Sequence, residues 1–435
     1  MSPSLELFAL SGGFAAALAE GPPGWTLVPF ALLLAAIACL PLLRPHFWER
    51  AHPWIATLLG VLVTGYYGFG RGQWSPVLHA FTDYSSFIVL LGSLFAISSG
   101  IWVQTRGEAT PAVNTLFLGV GALLANLLGT TGASMLLIRP WIRMNRYRVT
   151  SFHIVFFIFV VSNVGGCLTP IGDPPLFVGF LEGVPFWWPL GALWREWSLV
   201  LLVLLALFYG FDCRNFKRAP VEVRDEQTAH ETFRIEGGWN VLAALGVSGA
   251  CFLPFGWREA SMAALAWISW KATPARIHEA NGLDFGPLRE VAWLFVGIFL
   301  TMIPAVEWLQ QVASNGAFRS PSTLFWASGA GSAVLDNAPT YAAFLAAAAG
   351  SVGLNAGSDV PRLVLEHAAL VKAVSIGSVF FGALTYIGNG PNLMVKQLAE
   401  RERVKVPSFL GYVLRFALPI LLPIYCWIGW LAFRS

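Results

Sequence analysis

Charge is scarce in this chain. Asp, Glu, Lys and Arg together make up 12% of 435 residues, roughly half the share of a soluble domain. Cysteine is also sparse, five in all (Cys39, Cys167, Cys213, Cys251 and Cys426), with no C-x-x-C or Cys/His spacing. That excludes a disulfide scaffold or a zinc module, and the cysteines read as small apolar fillers. Cys167 alone falls inside a motif described below, where it could line a site. No H-E-x-x-H occurs, and the GTTGAS stretch at 129–134 lacks the Lys-Ser/Thr ending and the preceding strand of a phosphate loop. Metalloprotease chemistry and nucleotide binding are set aside accordingly. The second acid that an aspartyl intramembrane protease needs, in a Tyr-Asp context, is missing too.

What is abundant is apolar. Hydrophobic residues reach 56% and mean hydropathy is +0.64. Runs near the ~20 residues that cross a bilayer recur at 25–43, 53–70, 77–103, 150–168, 187–211, 239–256, 288–306, 361–387 and 408–433. The expected class is an all-α polytopic membrane protein with the lipid bilayer as its solvent. Trp and Phe, as in Phe186-Trp187-Trp188, form an interfacial belt. A net charge of +3 names no partner. Nucleic acid is excluded because the basic residues sit in loops flanking spans.

Those basic residues gather in four clusters: Arg139, Arg143, Arg146 and Arg148; Arg214, Lys217, Arg218 and Arg224; Lys271, Arg276 and Arg289; Lys396, Arg401, Arg403 and Lys405. With 257–271 counted as a crossing, even numbers of spans separate them, and all four fall on the cytoplasmic side. Residues 5–19 are apolar without a basic stretch before them, which argues against a signal peptide. An N-terminal helix over 1–24 is expected instead. Residues 212–238 carry both signs of charge and no apolar run, and read as a cytoplasmic linker.

One phrase occurs twice. Residues 166–175 read GCLTPIGDPP and 382–391 read GALTYIGNGP, with Gly166/Gly382, Leu168/Leu384, Thr169/Thr385, Ile171/Ile387, Gly172/Gly388 and Pro175/Pro391 matching at an offset of 216. Each interrupts an apolar stretch with helix breakers, and paired breaks in two halves of a membrane chain point to a transport site. Two further stretches, 112–143 and 321–350, are apolar at both ends and small or polar in the middle, at NLLGTTGAS (126–134) and LDNAPT (335–340). The span count requires each to enter and leave on one side, as a re-entrant hairpin, which survives at membrane depth only if its tip is buried or wet. The expected order is therefore a first inverted repeat over 25–211 (hairpin 112–143, broken helix 150–180) and a second over 239–433 (hairpin 321–350, broken helix 361–395).

Broken helices leave free N–H groups at one end and free carbonyls at the other, able to bind anions and cations respectively. The side-chain oxygens available are Ser162, Asn163 and Thr169 in the first break, and Thr385, Asn389 and Asn392 in the second. The hairpin tips add Asn126, Thr130, Thr131 and Ser134, then Asp336, Asn337 and Thr340. Oxygen donors without Cys or His suit alkali cations. Asp173 and Asp336 stand in apolar surroundings, where an acid is a functional hypothesis by default. Desolvation disfavours a carboxylate, so an acid that takes either a proton or a cation would couple the two. The plainer reading is that Asp336 caps a helix opening at Asn337 and Asp173 turns the break at Pro174; capping and binding are compatible. Lys372 would balance an acid or snorkel. Asp83, His153, Glu307 and His367 read as interfacial.

SNVGGCLTPIGDPPLF (162–177), NLLGTTGASMLLIRP (126–140), LDNAPTY (335–341) and GALTYIGNGPNLMVK (382–396) resemble the signatures of NhaD-type sodium/proton antiporters. These belong to the ion transporter superfamily, alongside arsenite-efflux and citrate or dicarboxylate carriers. The resemblance covers about residues 110–435. It implies two re-entrant hairpins and two broken transmembrane helices in a transport domain. That domain moves elevator-fashion past a dimerising scaffold, in a bacterial cytoplasmic membrane. It also implies that Na+ binds among Asn126, Thr130, Thr131, Ser162, Asn163, Thr169, Asp173, Asp336, Asn337, Thr340, Thr385, Asn389 and Asn392, with Asp173 and Asp336 coupling protons. The dicarboxylate branch repeats a Ser-Asn-Thr triplet at both tips. Here the tips read Gly-Thr-Thr and Asp-Asn-Ala-Pro-Thr, and the added negative charge favours a cation. The expectation is a Na+/H+ antiporter with no cofactor and no catalytic role; the alternative is a Na+- or H+-coupled carrier of citrate, a dicarboxylate or arsenite.

Overall fold

Proline marks where most helices begin. The residue lacks an N–H that the first helical turn leaves unpaired anyway. It stands in the first two positions of α1 (Val28–Leu43), α2 (Pro45–Gly65), α3 (Ser75–Ser99) and α4 (Pro111–Met144). The computed structural model describes residues 22–104, 109–218, 234–281, 285–314 and 318–434. Of the helix expected over 1–24, residues 1–21 lie outside them, as do 219–233 of the linker.

The chain continues through α5 (Ser151–Val160), α6 (Pro174–Leu181), α7 (Trp188–Phe216), α8 (Asn240–Ala250), α9 (Trp257–Ala272) and α10 (Ala275–Ala280). Then follow α11 (Gly286–Thr301), α12 (Ile303–Ser314), α13 (Pro321–Val334), α14 (Asn337–Ser351), α15 (Val360–Glu366), α16 (Ala368–Phe381) and α17 (Gly390–Arg401). The last helix, α18 (Phe409–Phe433), includes a π-helical turn at Val413–Ala417. Two short strands, β1 (Trp102–Gln104) and β2 (Arg234–Glu236), pair antiparallel and tie the end of α3 to the start of α8. The expected linker therefore begins later than 212, because α7 runs to Phe216, and its far end is a strand.

Four of these helices are long and apolar enough to cross a membrane: α3, α4, α7 and α18. A bent pair, Val360–Glu366 with Ala368–Leu384, is a fifth if its two parts form one span, and it has a 105° bend at His367 that the sequence reading did not foresee. Large apolar side chains such as Leu32, Trp54, Leu58, Leu116, Leu123, Leu202 and Leu410 point outward. Water would penalise that surface and lipid does not. The molecule is an integral, multi-pass membrane protein.

Although α4 is long, it is not straight. Gly129 takes φ 76 and ψ 153 in its middle, a conformation that only glycine adopts without strain. The chain folds back there, so Asn114 donates to Asn145 Oδ1 at 2.8 Å. At 1.5 Å per residue, a continuous helix would hold those two residues about 46 Å apart. A Cβ placed on Gly121 would lie 3.2 Å from Leu137, a contact between the two arms. The second folded-back pair is α13 and α14, which pack on each other about the turn at Leu335-Asp336.

Helix α3 is a seam. It packs on α8, α9 and α11 and also on α4 and α6. Helix α2 joins the first group through α11, while α13, α14 and α16 pack together in the second. The five cysteines are free thiols.

Candidate functional site

The two repeated phrases fold alike. In the first, Thr169 Oγ1 accepts from Gly172 N at 3.0 Å; in the second, Thr385 Oγ1 accepts from Gly388 N at 3.0 Å. Both loops close so tightly that a Cβ on Gly172 would lie 2.1 Å from Gly166 O, and one on Gly388 would lie 2.7 Å from Gly382 O. That is why the matched positions are glycines. Each loop delivers one residue to the N-cap of a half-helix: Asp173 before α6 (φ −141, ψ 141) and Asn389 before α17 (φ −155, ψ 135).

Neither residue caps its own helix with its side chain. A capping side chain uses the N–H of the second or third helical residue. Pro175 and Pro391 occupy the second position and have none. The third-position N–H groups, of Leu176 and Asn392, bond instead to the main-chain carbonyls of Asp173 and Asn389 at 3.1 and 3.0 Å. The repeated proline thus denies each side chain a local partner and sends it across the molecule. Asp336 shows the contrast: no proline follows it directly, and its Oδ1 accepts from Ala338 N at 3.2 Å as an ordinary N-cap.

Asp173 is completely buried and accepts from three donors on three separate parts of the chain. Thr130 Oγ1 from the α4 tip donates to Oδ1 at 2.9 Å, Asn389 Nδ2 donates to Oδ1 at 3.0 Å, and Asn337 Nδ2 from the start of α14 donates to Oδ2 at 2.8 Å. A carboxylate only accepts, so both amides turn Nδ2 toward it and their oxygens away. Those oxygens, Asn337 Oδ1 and Asn389 Oδ1, are buried with no donor among the described residues. Asp336 lies close enough to act electrostatically on Asp173. With Thr131, Pro174 and Asn389 it borders a crevice closed by Phe87 of α3 and Phe295 of α11. A larger cleft of about 620 Å³ continues from Asp336 and Asn389 past Tyr386, Glu290 and Lys396 to Glu400.

A second layer holds the two breaks together. Asn163 Nδ2 donates to Asn392 Oδ1 at 2.7 Å, and Asn389 Nδ2 also reaches Asn163 Oδ1 at 3.2 Å and Ser162 O at 3.1 Å. Ser162 Oγ shares a hydrogen bond of 2.8 Å with Ser134 Oγ. Other candidate oxygens serve the backbone. Asn126 Oδ1 accepts from Leu168 N at 2.8 Å, while its Nδ2 donates to Gly165 O at 2.7 Å. Thr169 donates to Asn126 O, Thr385 to Ala333 O, and Thr340 to Asp336 O, at 2.6, 2.8 and 2.9 Å. Asn392 Nδ2 donates to Gly382 O and Thr385 O, both at 2.9 Å. The structure therefore gathers Thr130, Asp173, Asn337 and Asn389 at the centre, with Thr131 and Asp336 on the adjoining crevice. Asn126, Thr169, Thr340 and Thr385 shape the loops.

Sequence reading missed Glu196, Asp212 and Glu182 and misplaced His153. Glu196 of α7 is buried and pairs with Lys372 Nζ at 2.6 Å; an acid inside the apolar stretch 187–211 was a legible signal. His153 is not interfacial. It is fully buried and sits 3.1 Å from Asp212, which also binds Arg148 and accepts from Asn114 at 2.8 Å. Arg148 is accordingly half of a buried ion pair and not a free loop cation. Glu182 at the end of α6 meets His79 and Asp83 of α3.

A comparison with curated proteins found no match. Residues 19–433 match the family model described as "Putative citrate transport", and the chain belongs to that family of membrane transporters.

Proposed function

We propose that this protein exchanges Na+ for H+ by elevator-type alternating access, with Asp173 as the group that takes either ion. One observation carries the reading: a fully buried carboxylate is held by two amides whose oxygens have no donor among the described residues. A buried acceptor left unpaired costs about 1–3 kcal/mol. A desolvated cation would be held by the carboxylate, and by both amide oxygens once Asn337 and Asn389 turn them toward it. A set made only of oxygens suits a hard cation. When the carboxyl is protonated the cation loses its counter-charge, so occupancy by one ion opposes the other.

The architecture supports the same reading. The shared closure of the two phrases fits related repeats over 25–211 and 239–433. The folded-back α4 and the α13–α14 pair fit re-entrant hairpins whose tips are buried in protein. The packing of α3 suits a division between a scaffold of α2, α3, α8, α9 and α11 and a moving unit that carries α6 and Asp173. A homodimer formed through the scaffold, in a bacterial cytoplasmic membrane with the four basic clusters inside, completes the proposal.

A second reading, coupled citrate transport, is favoured by the family description and by the cleft of about 620 Å³. The N-termini of α14 and α17 border it, and helix N-termini can hold an anion. The cleft is lined by Asp336, Glu290 and Glu400, however, and its Lys396 is bound to Glu400 at 2.8 Å. Everted vesicles separate the two readings. Collapse of a preformed pH gradient on addition of Na+ alone supports antiport. Gradient-driven uptake of labelled citrate, with no response to Na+ alone, replaces it with the second reading.

A further inference from the structure

Outside the central site, one cluster joins two elements that the proposed cycle would separate. His79 and Asp83 are one helical turn apart on α3, and Glu182 is the C-cap of α6. His79 Nε2 lies 3.5 Å from Asp83 Oδ2 and 3.7 Å from Glu182 Oε1, and the three ligand atoms all fall within 4.8 Å of one another. A tetrahedral zinc ion with bonds of about 2.0–2.2 Å places its ligands about 3.4 Å apart. The cluster needs little movement to close on such an ion. One imidazole and two carboxylates are donors that zinc accepts, with a fourth position left for water. The His79 side chain is 56% exposed and those of Asp83 and Glu182 are 15% and 20% exposed, so an ion can enter from solvent. Arg258, the other cation acting on Asp83, is already engaged by Glu259 at 2.7 Å and by Ser86 at 2.8 Å.

We propose that His79, Asp83 and Glu182 bind a divalent transition-metal cation of the zinc class, and that the bound ion fastens α6 to α3. Helix α6 is one short helix with Asp173 as its N-cap and Glu182 as its C-cap. An ion on Glu182 would therefore hold the element that positions the central acid, and transport would stop. The site stands on its own geometry; the arrest rests on the elevator reading.

The rival to the metal is a protonated His79 bridging two carboxylates. His79→Cys separates them, since a thiolate binds zinc and cannot carry a positive charge. Zinc chloride is titrated into the purified full-length protein in detergent by calorimetry. Saturable one-site binding is expected, weakened about tenfold or more in Glu182→Gln and in His79→Ala, and kept in His79→Cys. No saturable binding, or unchanged binding in Glu182→Gln, overturns the site. In proteoliposomes, zinc should inhibit flux by the wild type and spare Glu182→Gln. Binding without inhibition refutes the arrest, whereas wild-type protein with no flux in the absence of zinc refutes the transport reading instead.

Discussion

Replacing Asp173 with asparagine removes one charge and almost nothing else. Oδ1 of the new side chain can keep the hydrogen bonds from Thr130 and Asn389, now at 2.9 and 3.0 Å. Its Nδ2 would face Asn337 Nδ2, which today lies 2.8 Å from Asp173 Oδ2. Asn337 can flip, because its own Oδ1 has no donor to lose, and the pair is restored in the opposite sense. The fold should therefore survive, with a change in stability of about 1 kcal/mol or less. Cation binding should not survive. A unit charge about 4 Å away is worth about 4 kcal/mol at an effective dielectric constant near 20, close to a thousandfold in affinity. In everted vesicles, the Na+ concentration that half-collapses a preformed pH gradient should rise beyond the accessible range. Size-exclusion chromatography should return a normal, monodisperse protein. Asp173→Ala behaves differently: it strands Thr130 and Asn337 as buried donors, at about 1–3 kcal/mol each, while Asn389 keeps Ser162 O and Asn163 Oδ1, and the protein should be thermally weak as well as inactive. A folded Asp173→Asn protein with wild-type Na+ sensitivity would remove the carboxylate from the mechanism.

Asp336→Asn keeps a good N-cap, so its melting temperature should hold while the Na+ requirement rises roughly tenfold through the lost charge; equal requirements would assign Asp336 to capping alone. Gly172→Ala puts a methyl group 2.1 Å from Gly166 O. It should cost about 1–3 kcal/mol in thermal unfolding and abolish flux, whereas Gly191→Ala, with open space around it, should do neither. Asp212→Asn leaves Arg148 buried without its counter-charge, a loss of about 3–5 kcal/mol. The melting temperature should fall sharply, while flux per folded molecule should stay near the wild-type value if the network is structural.

How much of this was legible in the residues differs from place to place. Gly-Asp-Pro-Pro and Gly-Asn-Gly-Pro announce both breaks, because glycine and proline act on the backbone that carries them. The turn at Gly129 was visible for the same reason. The bend at His367 was not, since neither residue type marks it. The oxygen-bearing side chains around the breaks were all nameable, but their duties were not. Thr169 and Thr385 look like ligands in a string of letters, and they turn out to accept from Gly172 and Gly388. Asp173 and Asp336 look equivalent until the N–H groups after each are counted.

Composition alone put the chain in a membrane, and the repeated Gly, Thr and Pro positions located its two irregular loops, because insertion and backbone torsion are settled by a residue and its immediate neighbours. Which side chains meet was decided only by tertiary packing. Asp173 and Asn389 stand 216 positions apart and touch at 3.0 Å; His153 meets Asp212 at 3.1 Å and Lys372 meets Glu196 at 2.6 Å, again from different helices. Such contacts depend on how whole helices lie against one another, a sum over many weak and distant interactions that no local pattern records.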